Sequence, residues 1–158
     1  MRVSQYLLDE HISFEEVLHA PAFTSQKLAR SLHISGRRVV KSVLLKGAKG
    51  FCVAVLPAAQ IIDLGRLPGP VRLATEQELR EQFLDCEWGV SMPFGRLYGL
   101  STILEAKIPL DATIVFEAQL HAVAIKMQCR DFVRLEHPER LVFACDRPQR
   151  DQPRPQAG

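Results

Sequence analysis

Cysteine is scarce in this sequence and nowhere paired. Cys52, Cys86, Cys129 and Cys145 form no C-x-x-C motif, and no histidine stands at metal-ligand spacing from any of them. A structural zinc site is therefore not expected, and the thiols read as buried and free, as in a reducing compartment. No apolar run approaches the roughly 20 residues that a membrane-spanning helix needs. The segment Met1–Tyr6 leads directly into an amphipathic pattern without a signal-peptide core. A cytoplasmic location with no membrane contact is the expectation. Charge of one sign is also missing: 20 basic against 18 acidic residues leave a formal net charge of +2. Any nucleic-acid contact must then come from local clustering. Absent too are a Gly-x-Ser-x-Gly elbow, Ser-x-x-Lys, a phosphate-binding P-loop, a dinucleotide fingerprint and a convincing carboxylate pair. A catalyst made from this chain has to rely on positioning and backbone donors rather than on an activated side-chain nucleophile. No cofactor and no metal are expected.

What is present fits one domain. The 158 residues are 47% hydrophobic and 24% charged, enough for a sizeable core. Val3, Tyr6, Leu7 and Leu8 predict a short amphipathic helix, and the stretch 13–19 predicts a strand that Pro21 ends. Thr24 is placed to cap a helix running to Leu32. Two β-branched runs, 39–45 and 51–56, flank Lys46-Gly47-Ala48-Lys49-Gly50 and predict a hairpin. A short helix is expected over 60–64 and a strand over 71–74. Thr75-Glu76-Gln77-Glu78 is a capping box that opens a helix to about Phe83. Residues 97–104 are expected to be extended, 113–117 and 122–127 to form a second hairpin, and 130–135 to close with a helix. These elements predict an α+β domain over 1–146, with a mixed, mainly antiparallel curved sheet and short helices packed around it. The remaining 147–158, rich in Arg, Gln and Pro, are expected to be disordered.

Three segments could carry chemistry. In Gly89-Val90-Ser91-Met92-Pro93-Phe94-Gly95, two glycines bracket a proline just after Trp88. Such a segment can hold backbone N–H groups toward a carbonyl oxygen or an oxyanion, or can be an ordinary turn. The stretch 37–49 holds five basic residues and no acid, with Lys41 inside an apolar strand. Its ammonium is either solvated on an outward face or bound to an anion at a cleft. His19-Ala20-Pro21-Ala22-Phe23-Thr24 joins an ionisable ring to a rigid turn and a hydroxyl. His121, with Glu117 before it, sits beside the second hairpin turn.

In this order the three segments resemble the YbaK / prolyl-tRNA synthetase insertion-domain family. The matching elements are His19-x-Pro21-x-x-Thr24, the strand Val39-Val40-Lys41-Ser42-Val43-Leu44-Leu45 and Gly89-x-x-x-Pro93-x-Gly95. The resemblance runs from about Val3 to Leu135. It implies the family's α+β editing fold and hydrolysis, in trans, of the ester joining a wrong amino acid to the 3′ ribose of a transfer RNA. The partners it implies are the 3′ acceptor end of an aminoacyl-tRNA and, for a protein acting in a complex, an aminoacyl-tRNA synthetase. By resemblance, Lys41 anchors the terminal nucleotide, and Gly89 and Gly95 neighbour the scissile ester. His19 and Thr24 stand at the pocket mouth, with Ser91, Met92, Pro93 and His121 as further substrate-binding positions. The hairpin turn carries Gln119 where many members have glycine, and Ser91 and Met92 shape the loop in their own way. Two other functions fit the same residues. One is a non-catalytic module that binds aminoacyl-tRNA, a nucleotide or a partner protein, and the other is a hydrolase of a small ester.

Overall fold

The structure, a computed structural model, describes residues 2–20, 25–32 and 38–148. Helix α1 (Arg2–Asp9) buries Val3 and Leu7 against the core, as the apolar spacing predicts. Strand β1 (Phe14–Leu18) and helix α2 (Ser25–Ser31) follow. The caps expected from Pro21 and Thr24 lie outside the described residues, as do Arg37 and 149–158 of the C-terminal segment. Strands β2 (Val40–Gly47) and β3 (Gly50–Pro57) form the first hairpin, paired from Val40↔Pro57 to Gly47↔Gly50.

The expected helix over 60–64 is instead strand β4 (Gln60–Ile62), followed by a 3-10 turn at Leu64–Arg66. Its partner is β10 (Ala144–Asp146), more than 80 residues away. A short apolar run suits either period, and here the distant strand decides. Strand β5 (Val71–Leu73) leads to helix α3 (Glu76–Gln82). The capping box forms in full, with Glu78 N donating to Thr75 Oγ1 at 3.1 Å and Thr75 N to Glu78 Oε1 at 2.9 Å. Residues 97–104 are extended only in their second half. A 3-10 turn at Gly95–Tyr98 precedes β6 (Ser101–Glu105), and Gly99, at φ 70°, ends that turn. Strands β7 (Thr113–Ala118) and β8 (Leu120–Gln128) form the second hairpin, followed by α4 (Cys129–Glu136) and β9 (Glu139–Leu141).

The result is an α+β architecture. One sheet runs β5-β2-β3-β6-β9, with parallel pairs at β3–β6 and β6–β9, and a second, antiparallel one runs β1-β8-β7. The two meet where Val39 bridges Val115, and Val115 N donates to the Arg38 carbonyl at 3.0 Å. The main core lies between them and includes Leu7, Val53, Val55, Phe94, Phe116 and Phe132. Phe94 is its hub, with ring centroids 5.6 Å from Phe116 and 5.3 Å from Phe132. On the far face of β2, Val39 packs with Leu28, Ala29, Val115 and Ala124. Beyond it, β4 and β10 close over Leu45, Leu56 and Phe143. No helix among the described residues is long and apolar enough to cross a membrane.

Candidate active site

Strand β2 has an edge with three neighbours. Arg38 and Val39 meet β7, and 45–47 pair with β5. Between them Ser42 meets the glycine loop. Ser91 Oγ donates to the Ser42 carbonyl at 2.8 Å, and Ser42 Oγ lies 3.0 Å from the Ser91 carbonyl and 2.8 Å from Ser91 Oγ. The loop therefore fills the break in this edge and is pinned to it from both sides.

Beneath the loop, Met92, Pro93 and Phe94 are buried and act as its anchors. Met92 Sδ accepts from Gln119 N at 3.1 Å. Gly95 is also buried. Its amide donates to Thr102 Oγ1 at 3.1 Å, and a Cβ there would meet that oxygen at 2.5 Å and the Leu100 carbonyl at 2.9 Å. Gly95 thus serves the close packing of the loop on β6, and its donor is spent. Gly89 differs. It is exposed, at φ 86°, the left-handed region that side chains disfavour. The amides of Gly89, Ser91 and Met92 donate to no group among the described residues.

The turn is braced from the second sheet. His121 Nε2 donates to the Trp88 carbonyl at 2.8 Å, while Nδ1 lies 3.2 Å from Glu117 Oε1. His121 N donates to Glu87 Oε2 at 3.1 Å. Burial opposes charge on the ring. The Trp88 carbonyl and the two carboxylates outweigh it, and the pKa of His121 is raised. Burial holds Glu117 above the usual carboxylate range although both histidines pull it down. His19 reaches the same region from β1. Its N–H donates to the Ala122 carbonyl at 3.0 Å, its Nδ1 to the Ala20 carbonyl at 2.7 Å, and its buried Nε2 has no partner among the described residues.

Gln119 is a site residue that the sequence pattern did not single out for a role. It sits at the hairpin tip with φ 60°. Its carbonyl accepts from Glu87 N at 2.7 Å, its Nε2 donates to the Asp85 carbonyl and Oδ2 at 3.2 Å each, and its Oε1 accepts from Val3 N at 3.3 Å. Only its departure from glycine at a turn position hinted at this.

Lys41 follows Val39 by two residues, so it shares the β2 face that looks toward α2 and β10, while Ser42 faces the loop. Its cross-strand neighbour Leu56 lies in the cluster under β10. Burial, and then the nearby Arg147 guanidinium, push its pKa down. Among the described residues no carboxylate pairs with it. Gly89 opens onto a cleft of about 610 Å³ between α3 and 86–90, and Lys41 does not line that cleft. The loop and the lysine thus touch the same strand but occupy its two faces. Among the described residues no group of three His, Cys, Asp or Glu side chains is arranged to hold a metal ion.

A family model described as an aminoacyl-tRNA editing domain matches residues 19–135. No curated protein matches the chain. Among solved structures, the chain is similar to a hypothetical protein at 16% identity and a TM-score of 0.83, covering 92% of this chain and 100% of that one. It is similar also to a protein described as a candidate trans-editing enzyme for prolyl tRNA synthetase. There the identity is 21% and the TM-score 0.72, with 93% of this chain and 96% of that one covered. A third likeness, to a candidate signal transduction protein from Marinobacter aquaeolei VT8, has 18% identity and a TM-score of 0.70. It covers 92% of this chain but 31% of that one.

Proposed function

This chain belongs to the aminoacyl-tRNA editing domain family, and on that premise we propose that it is an aminoacyl-tRNA deacylase acting in trans. The observation that carries the reading is the pair of uncommitted amides at Gly89 and Ser91 in a turn braced by Ser42 and His121. Hydrolysis of an aminoacyl ester places negative charge on the carbonyl oxygen. Fixed N–H donors stabilise that charge without reorganising, and one donor is worth about 3 kcal/mol. The attacking oxygen is that of water. It bonds to the carbonyl carbon as the bond to the ribose oxygen breaks. A proton of the water passes to that ribose oxygen, which leaves as a hydroxyl, and the amino acid leaves with a free carboxyl group. No protein nucleophile is needed. Burial drives the nearest thiol, Cys86, up to about 11, far from a reactive thiolate.

Lys41 supplies charge on the other side of the strand. A half-buried ammonium with no carboxylate partner among the described residues is suited to a phosphate of the terminal nucleotide. His19, His121 and Thr24 are assigned to substrate binding on the family pattern alone. The fold likeness to a candidate trans-editing enzyme for prolyl tRNA synthetase makes a proline-specific tRNA charged with a wrong amino acid the first substrate to try. The test is release of labelled amino acid from a panel of mischarged transfer RNAs. Turnover above spontaneous hydrolysis on at least one member is expected. None on any member overturns the deacylase, and binding without turnover replaces it with a recognition module.

A further inference from the structure

The only tryptophan of the chain is left largely in water beside the candidate site. Trp88 is 62% exposed and directly precedes Gly89. Its root is nevertheless fixed: its carbonyl accepts from His121, and Glu87 N is tied to Gln119. The Arg80 guanidinium, from α3, lies 4.4 Å from the ring centroid and covers one face. With that face covered, the remaining exposure puts the opposite face in solvent. A large aromatic held rigidly at a cleft mouth is the feature that marks a binding surface. Trp88 and Gly89 line the same cleft, whose volume of about 610 Å³ is in the range that takes small-molecule groups.

Charge narrows the occupant. Glu76, Glu81 and Glu87 line the cleft with Arg80, so a phosphate inside it meets mainly repulsion. An uncharged base does not. Cytosine and adenine also carry exocyclic amines that can donate to carboxylates. The unpaired 3′ end of transfer RNA is made of these two bases. We propose that Trp88, backed by Arg80, is a stacking platform for an unpaired cytosine or adenine of that 3′ end, with the sugar–phosphate chain outside the cleft. The proposal rests on the editing function and adds a binding subsite to it.

The single tryptophan provides the readout. The full chain is titrated with an uncharged acceptor-stem hairpin ending in unpaired ACCA and with the same hairpin made blunt. The tailed hairpin quenches Trp88 emission and the blunt one does not. In anisotropy with a labelled hairpin, Trp88→Ala weakens binding about 5- to 150-fold, and Trp88→Phe retains most of the affinity. The salt dependence stays as in the wild type, because stacking releases no counterions. Replacing the tail bases by uridine also weakens binding. Trp88 is exposed, so a thermal melt serves to confirm that the variants are folded. Equal quenching by the blunt hairpin, unchanged affinity in Trp88→Ala, or quenching by an arginine-rich peptide in place of the RNA overturns the platform. Failure of the enzyme reading looks different: tail-dependent quenching without deacylation keeps the platform and removes the hydrolysis. Deacylation with identical kinetics in Trp88→Ala does the reverse.

Discussion

Ser42 and Ser91 hold one another across 49 residues of chain: their hydroxyl oxygens are 2.8 Å apart, and each hydroxyl lies within reach of the other's carbonyl. This clasp is the direct link between the lysine-bearing strand and the glycine loop. Ser42→Ala removes its own bond to Ser91 O and the Oγ–Oγ contact, and Ser91→Ala removes that contact and its own bond to Ser42 O. The two single losses therefore overlap. Urea unfolding of both singles and the double is expected to give a coupling of about 0.5–3 kcal/mol. Each single variant should also lower deacylation by about 10- to 100-fold, because the loop no longer sits in register. Additive stabilities with full turnover would show that the clasp holds nothing.

The position of Lys41 predicts a conflict between stability and activity. Burial and Arg147 lower its pKa in the folded chain. Between that lowered value and the ordinary value near 10.5, the unfolded chain binds the extra proton, so stability rises with pH through this window. Below it the folded state carries the cost in full. Lys41→Met should accordingly melt at or above the wild-type temperature near neutral pH and lose the high-pH rise. Deacylation should fall by about 10- to 100-fold, mainly as a rise in KM, because the phosphate of the terminal nucleotide loses its charge-assisted contact. A variant that is destabilised and still active would take Lys41 out of the site.

Much of the scaffold was readable because its signals are local. Thr75 and Glu78 are three residues apart and satisfy each other, and the runs either side of Gly47 and Gly50 can pair only with a tight turn between them. Gln60–Ile62 is not legible as a strand in its own sequence, because that identity depends on pairing with Ala144–Asp146. The candidate site divides in the same way. Gly89 and Lys41 stand out as residue types in unusual company. Gln119 does not, since its role is set by partners on α1 and the 85–92 loop at once. Nor does spacing distinguish Gly89 from Gly95, although one faces water and the other is walled in by β6.

His121 predicts a pH-dependent brace. Glu117 from β7, Glu87 from the loop and His19 from β1 are the titratable groups around it. With its pKa raised in the folded chain, the ring adds stability below its unfolded value near 6.5, and the contribution is lost as pH rises through the folded value. Raised burial-driven Glu117 works in the same direction, since the folded chain again binds more protons as pH passes upward from 4.5. Melting temperature should thus decline as pH rises from about 6.5 through the raised value of His121, and His121→Asn should flatten the decline. Deacylation should weaken over the same interval once the spontaneous, base-driven hydrolysis of the ester is subtracted. An unchanged profile in His121→Asn would mean that the ring does not brace the turn.

Alanine at the two loop glycines separates architecture from chemistry. At Gly95 the new methyl meets Thr102 Oγ1 at 2.5 Å and the Leu100 carbonyl at 2.9 Å, and the second of these is backbone that cannot swing aside. Gly95→Ala must therefore displace the 3-10 turn from β6, with a loss of about 1–3 kcal/mol or more. At Gly89 the methyl has room: the nearest atoms beyond the chain neighbours are His121 Cε1 and Nε2, both at 3.9 Å. The cost there is conformational, about 1–2 kcal/mol for a side chain at φ 86°. Relief of that strain rotates the peptide units whose amides face the ester in the proposed mechanism. Gly89→Ala should consequently stay folded, with near-wild-type spectra and a modest drop in melting temperature, while kcat falls far more than KM rises. Gly95→Ala should lose stability first and activity only as a consequence, so that stabilising it with osmolyte restores turnover. Osmolyte should do nothing for Gly89→Ala, because the defect there is in the direction of the donors and the fold is already intact.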